Sequence, residues 1–336
     1  MMIRSFAALA SFASLALLGF ACSSNDTTAT NNGTPDSGTT TTPTPGEEAG
    51  TTDSGSSNPS DPIAPPTACP AAKPKTIVII GDSISDVGAG SAEETPLYRT
   101  LLVANDDAKY PAWKGFDLKT CAGLDASTGV VKASKGGAIA TIPSPNDESN
   151  KGILVNQVTP LPASLPGPVL VVGTIGGNDV TRGLRNVLLG SPAQQKADID
   201  AFVAGFGAAM AELNKPDRFG AGVKVDILMT NIYDPSGGTG NFYFEPSKAK
   251  CPGALALWPS DRPTAEALAQ WNDAMKAEAA KYPKVKLLDM YTPFTKHAVS
   301  TPVADNWFYK DCIHPSALGQ HAVRGIFWGG IAGLSQ

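Results

Sequence analysis

Apolar positions fall along the chain at two spacings. Four short runs are nearly continuous and rich in β-branched residues: Lys75–Ile80, Val169–Ile175, Val223–Asn231 and Val285–Met290. Strands of a parallel sheet covered on both faces have this pattern. Between and after the runs, apolar residues recur at helical spacing. Ser191-Pro192 supplies a cap and a first turn. Beyond it, Ile199, Phe202, Val203, Phe206, Met210 and Leu213 share one face. Pro263 opens a second pattern with Leu268, Trp271, Met275, Ala279 and Tyr282. Pro315 opens a third with Leu318, Ala322, Val323, Ile326 and Phe327. These stripes read as core. Strands alternating with helices predict an α/β fold, a three-layer α/β/α sandwich with a central parallel sheet. In such sheets the functional loops gather beyond the carboxyl ends of the strands.

The N-terminal end has a different pattern. Arg4 precedes an apolar run from Phe6 to Ala21, short for a spanning helix and suited to a signal peptide. The run ends in Ala21-Cys22. A small residue followed by Cys resembles a bacterial lipoprotein processing site, at which Cys22 becomes the acylated N-terminus. Phe20 is bulkier than that pattern prefers, and ordinary secretion and a retained N-terminal anchor are the alternatives. Ser23, rather than Asp, follows the cysteine, which points to the outer membrane or cell surface. From Ser23 to Thr67, 41 of 45 residues are Ser, Thr, Asn, Asp, Glu, Gly or Pro, with no Lys, Arg or aromatic. Such a stretch buries too little apolar surface to offset its ordering entropy, so it reads as a tether. The expected organisation is a signal peptide over 1–21, a lipidated Cys22 with linker over 22–67, and one domain over 68–336.

The linker accounts for the formal net charge of −5. Residues 68–336 carry 25 acids and 25 bases, and a neutral domain offers no electrostatic case for nucleic acid. Four cysteines remain beyond Cys22: Cys69, Cys121, Cys251 and Cys312. In an exported domain they predict two disulfides, with three possible connectivities. None has the spacing of a zinc site.

Three motifs carry candidate chemistry. The first run leads straight into Gly81-Asp82-Ser83, where a serine after a buried strand can project its hydroxyl into a cleft. Near the other end, Asp311-Cys312-Ile313-His314-Pro315 places a carboxylate and an imidazole three residues apart. A serine nucleophile needs such a base and an acid to orient it. His297 and His321 lack a carboxylate at this spacing, though a distant one could serve either. Gly176-Gly177-Asn178-Asp179 follows another strand, and the Asn178 amide can donate to a developing oxyanion.

Taken along the chain, Gly81-Asp82-Ser83, then Gly176-Gly177-Asn178-Asp179, then Asp311 to Pro315, the motifs resemble the SGNH hydrolases, also called GDSL lipases or esterases, from Lys75 to about Gly330. The resemblance implies a flavodoxin-like sheet. It also implies a Ser83, His314 and Asp311 mechanism with an oxyanion hole of Ser83, Asn178 and a glycine. The glycine is read as Gly137, with Gly136 as the runner-up. The family often has an Asn a few residues earlier, where this chain has Lys132, so the support of that loop is an open question. No metal or organic cofactor is implied. The expected substrate is a small-molecule, lipid or polysaccharide ester, and the chain is read as a monomer held at a membrane only by its N-terminal lipid. A carbohydrate O-acetyl esterase, an acyltransferase and a binding module without catalysis are the alternatives. A Cys251–Cys312 bridge would pin the His314 loop, and Cys69–Cys121 would then brace the start of the domain. Tyr98, Trp113, Phe242, Tyr243, Phe244 and Trp258 are candidates to line an acyl or sugar site.

Overall fold

The computed structural model describes residues 63–142, 152–245, 247–252, 263–302 and 305–335. The signal segment 1–21, Cys22, the linker up to residue 62 and Trp258 lie outside them. The strands are β1 (Thr76–Gly81), β2 (Val130–Lys132), β3 (Val169–Thr174), β4 (Val225–Thr230), β5 (Tyr243–Phe244), β6 (Ala249–Lys250) and β7 (Val285–Leu288). Five form one sheet in the order β2-β1-β3-β4-β7 with every neighbour parallel, while β5 and β6 make a separate antiparallel hairpin. The order is the flavodoxin-like one, in which the chain reverses direction across the sheet between β1 and β3.

Alternation along the strands feeds two cores. On β1, Ile77 and Ile79 join one cluster and Val78 and Ile80 the other. On β3, Leu170 and Val172 face one way and Val169 and Val171 the other. A side-chain period of two on a sheet buried on both faces produces this division.

The helices are α1 (Tyr98–Val103), α2 (Leu118–Ala122), α3 (Leu154–Val158), α4 (Gly177–Leu189), α5 (Pro192–Asn214), α6 (Ala265–Ala279), α7 (Tyr291–Thr295) and α8 (Ala317–Ala332). One core holds Tyr98 of α1, Leu118 of α2, Phe294 of α7 and Phe327 of α8. The other holds Leu154 of α3, Phe206 of α5 and Met275 of α6. The three layers expected from the alternating pattern are present.

Element ends differ from the sequence reading in small ways. Pro192 sits in the first turn of α5 behind the Ser191 cap, whose hydroxyl accepts from the Gln194 N–H. Pro315 instead lies before the Ser316 cap of α8 and forms an isolated bridge with Phe308. Tyr282 falls beyond the end of α6, and its hydroxyl donates to the Gly207 carbonyl. Packing is already established at Ile63, whose carbonyl accepts from the Trp113 indole at 3.1 Å. Disulfides join Cys69 to Cys121 and Cys251 to Cys312. Among the described residues no helix is long and apolar enough to cross a membrane.

Candidate active site

The site is built where β1 and β3 end. Gly81 closes β1 with φ +109°, and a Cβ there would lie 2.0 Å from the Thr174 carbonyl oxygen. Only glycine lets the two strand ends approach so closely. The chain turns at once: the Asp82 N–H donates to Thr174 O at 2.9 Å, and the Ser83 carbonyl accepts from the N–H groups of Asp86 and Gly88. Asp82 is buried, and its Oδ1 accepts from the Thr174 hydroxyl at 2.7 Å and the Ile84 N–H at 3.1 Å. Burial pushes its carboxyl up to about 7, against the pull of these hydrogen bonds.

The second loop reaches Ser83 across 231 residues of sequence. Asp311 Oδ1 accepts from the N–H groups of Ile313 and His314, each at 2.9 Å. This is an Asx-type turn of the kind that a short carboxylate favours. Cys312, at φ +62° inside that turn, is bonded to Cys251. The Tyr309 N–H donates to His314 O, and the Tyr233 hydroxyl donates to Ile313 O. His314 is thereby fixed with Nδ1 at 2.6 Å from Asp311 Oδ2 and Nε2 at 2.7 Å from Ser83 Oγ. Burial opposes the charged imidazole, but the Asp311 hydrogen bond and charge, with Glu94 and Asp82 farther off, outweigh it and raise its pKa. Burial would raise the Asp311 carboxyl, yet the His314 hydrogen bond and charge and the two backbone donors hold it below the usual range.

The third group opens α4. Asn178 Nδ2 donates to the Ala138 carbonyl at 2.9 Å, and the buried Asp179 accepts from the N–H groups of Ala140 and Thr141 at 3.0 and 2.8 Å. The start of α4 thus grips the loop that carries Gly136 and Gly137. Gly137 has φ +74°, and its N–H makes no hydrogen bond among the described residues. The Gly136 N–H is taken by Asp86 Oδ2 at 2.8 Å. Asp86 also pairs with Lys132. This pair answers the question of loop support: Asp86 and Lys132 link the Ser83 loop, the end of β2 and the glycine loop.

The other histidines are placed apart from this chemistry. His297 stacks on Trp307 at 3.8 Å, and its Nδ1 meets the Asp305 carbonyl. His321 is buried against Arg324; burial first, then the Arg324 charge, pushes it down to about 3. Neither has a carboxylate partner among the described residues. Of the aromatic candidates, Phe242 lines the cleft beside Ser83. Tyr98 instead stacks on Phe327 in the core, and Trp113 packs edge-on to His321 and Trp328. Neither lines the cleft beside Ser83. Tyr243 and Phe244 form the strand β5 and do not line the cleft. Tyr233 and Trp271 do line it. Trp271 belongs to the apolar stripe of α6, whose spacing gives no hint that the first turns also border a cleft.

Fold and cleft define the class first: an α/β fold whose candidate site lies at the switch point of its sheet. The chain belongs to the GDSL-like lipase/acylhydrolase family, whose model matches residues 77–324, and it is a hydrolase of ester bonds. No curated protein sequence matches it. Similar solved structures include an acetylxylan esterase from Geobacillus stearothermophilus, at 17% identity over 78% of this chain and 95% of that one, TM-score 0.44. An extracellular lipase from Streptomyces rimosus is 20% identical over 75% and 98% of the two chains, TM-score 0.41. A phospholipase A1 from Streptomyces albidoflavus NA297 is 21% identical over 76% and 97%, TM-score 0.41.

Proposed function

We propose that the protein is a serine esterase of the lipase/esterase type that hydrolyses carboxylic esters through Ser83, His314 and Asp311. The observation that carries this reading is the continuous relay of 2.6 and 2.7 Å from Asp311 through His314 to Ser83. Ser83 Oγ attacks the ester carbonyl carbon as its proton passes to His314 Nε2. The N–H groups of Ser83 and Gly137 and the Asn178 amide stabilise the oxyanion. Asn178 uses one amide hydrogen on Ala138 O, and an amide nitrogen carries two, so the second is free for this task. Collapse of the intermediate breaks the bond to the alkoxy oxygen, which takes the proton back from His314. Water, giving its proton to His314, then attacks the acyl-serine, releases the acid and regenerates Ser83.

Ser83→Ala should lower hydrolysis of p-nitrophenyl esters by roughly 10⁴- to 10⁶-fold with an unchanged circular dichroism spectrum. Full activity in that variant would end the proposal. The same reading includes export, removal of residues 1–21, and anchoring through an acylated Cys22, with residues 68–336 as the hydrolase domain. Two disulfides support an oxidising compartment.

A further inference from the structure

The cleft beside Ser83 has a one-sided chemistry. The space it leaves open to water-sized groups is about 100 Å³, narrow and open at its mouth. Ile175 and Val180, Ile232 beyond β4, Phe242, and Leu268 and Trp271 of α6 form its apolar walls. No lysine, arginine or histidine is among its described lining residues.

The polar side chains in these walls already have partners. Asp82 is held by Thr174 and the Ile84 N–H. Thr181 Oγ1 donates to Gly177 O. Asn231 donates to Asp289 and accepts from the N–H groups of Met290 and Tyr291. Asp234 accepts from Ser236, Gly238 and Thr264. A sugar placed here would surrender hydrogen bonds to water and find few in return, at a cost for each hydroxyl. Trp271 does not act as a sugar-stacking platform, because it is only 2% exposed and packs on Phe202.

Proton transfer decides which half of the ester enters. The leaving oxygen must lie within reach of His314 Nε2 to receive its proton. Ser83 and Asn178 line the cleft, whereas His314 and Gly137 do not. The alcohol therefore belongs on the His314 side, and the cleft is left for the acyl chain.

We propose that this cleft is an acyl pocket and that the substrates are esters of medium-length aliphatic or aryl acids, not acetyl esters of carbohydrates. The proposal rests on Ser83 being the nucleophile. Its test uses the purified full chain and p-nitrophenyl acetate, butanoate and hexanoate, with Ser83→Ala as the control and acetylated xylan as a competing substrate. Burial of each added methylene should raise kcat/KM roughly fourfold, and acetylated xylan should be a poor substrate. Leu268→Trp, and independently Ala267→Leu, should lower the hexanoate-to-acetate ratio at least tenfold. That ratio does not depend on how much of a variant is folded. Ser83-dependent activity highest on acetate, or a ratio unmoved in both variants, would overturn the acyl pocket and leave the esterase standing. Hydrolysis absent at every length, or indifferent to Ser83→Ala, would overturn both.

Discussion

At the scale of single residues, His314 governs pH dependence. Its imidazole must be neutral to accept the Ser83 proton. Burial alone would favour that form, but Asp311 outweighs burial and holds the pKa above the ordinary 6.5. The acidic limb of kcat/KM should therefore lie above that value, with activity rising as pH rises through it. Asp311→Asn removes the charge, so the limb should move to lower pH while kcat falls about 10⁴-fold. A limb that stays in place would take Asp311 out of the relay. Asp86 acts at one remove, through the backbone. Its carboxylate joins Lys132 to the Gly136 N–H and so sets where the next N–H, that of Gly137, is aimed. Asp86→Asn should cut kcat roughly 10- to 100-fold, the scale of a small misplacement, with KM on p-nitrophenyl butanoate little changed. Lys132→Arg should retain activity where Lys132→Ala loses it. A change confined to KM would contradict a positioning role.

At the scale of elements, the two disulfides divide their labour. Each joins residues more than fifty positions apart, a loop whose closure is worth about 4 kcal/mol in the chain-entropy view. Cys69–Cys121 ties the segment before β1 to α2, away from the relay. The paired Cys69→Ser/Cys121→Ser variant should lose thermal stability and keep kcat. Cys251–Cys312 ties the end of the β5–β6 hairpin to the turn between Asp311 and His314, so its removal should lower stability and kcat together. Equal kcat losses in the two pairs, read beside their melting temperatures, would contradict this division. The elements also separate what the sequence made visible from what it hid. β1, β3 and β4 were legible because burial on both faces demands continuous apolar runs, and the edge strand β7 because Val285, Leu287 and Leu288 are apolar around the exposed Lys286. β2 was missed because its three residues are half-buried or exposed and carry no pattern. The hairpin strands, two residues each, were too short to read. Ser83, Asn178, Asp311 and His314 could be singled out because each lies in a compact motif next to a strand or helix. Asp86 and Lys132 are 46 positions apart and Tyr233 and Ile313 are 80 apart, so neither contact leaves a local trace. Tyr98 and Trp113 looked available only because aromatic character does not distinguish a core ring from a cleft ring.

At the scale of the whole molecule, the balance of charge bears on how the enzyme is held. Residues 68–336 carry equal numbers of acids and bases, so an anionic membrane exerts no net pull on the domain. Among the described residues no helix spans a bilayer. Under the proposed reading the anchor is acylation at Cys22. That reading places the whole lipid anchor on one residue, so its loss should be decisive. In a bacterial host that processes lipoproteins, the wild-type chain should fractionate with membranes, and its N-terminal peptide should begin at an acylated Cys22 by mass spectrometry. Cys22→Ser should move the protein to the soluble fraction. Its hydrolysis of p-nitrophenyl butanoate per mole should be unchanged, because every group in the proposed relay and oxyanion hole lies between Ser83 and His314. Salt gives the sharper control. Membrane association of Cys22→Ser that persists in dilute buffer and is released by salt would mean that an electrostatic surface holds the protein. That result is incompatible with a neutral domain carried on a lipidated cysteine.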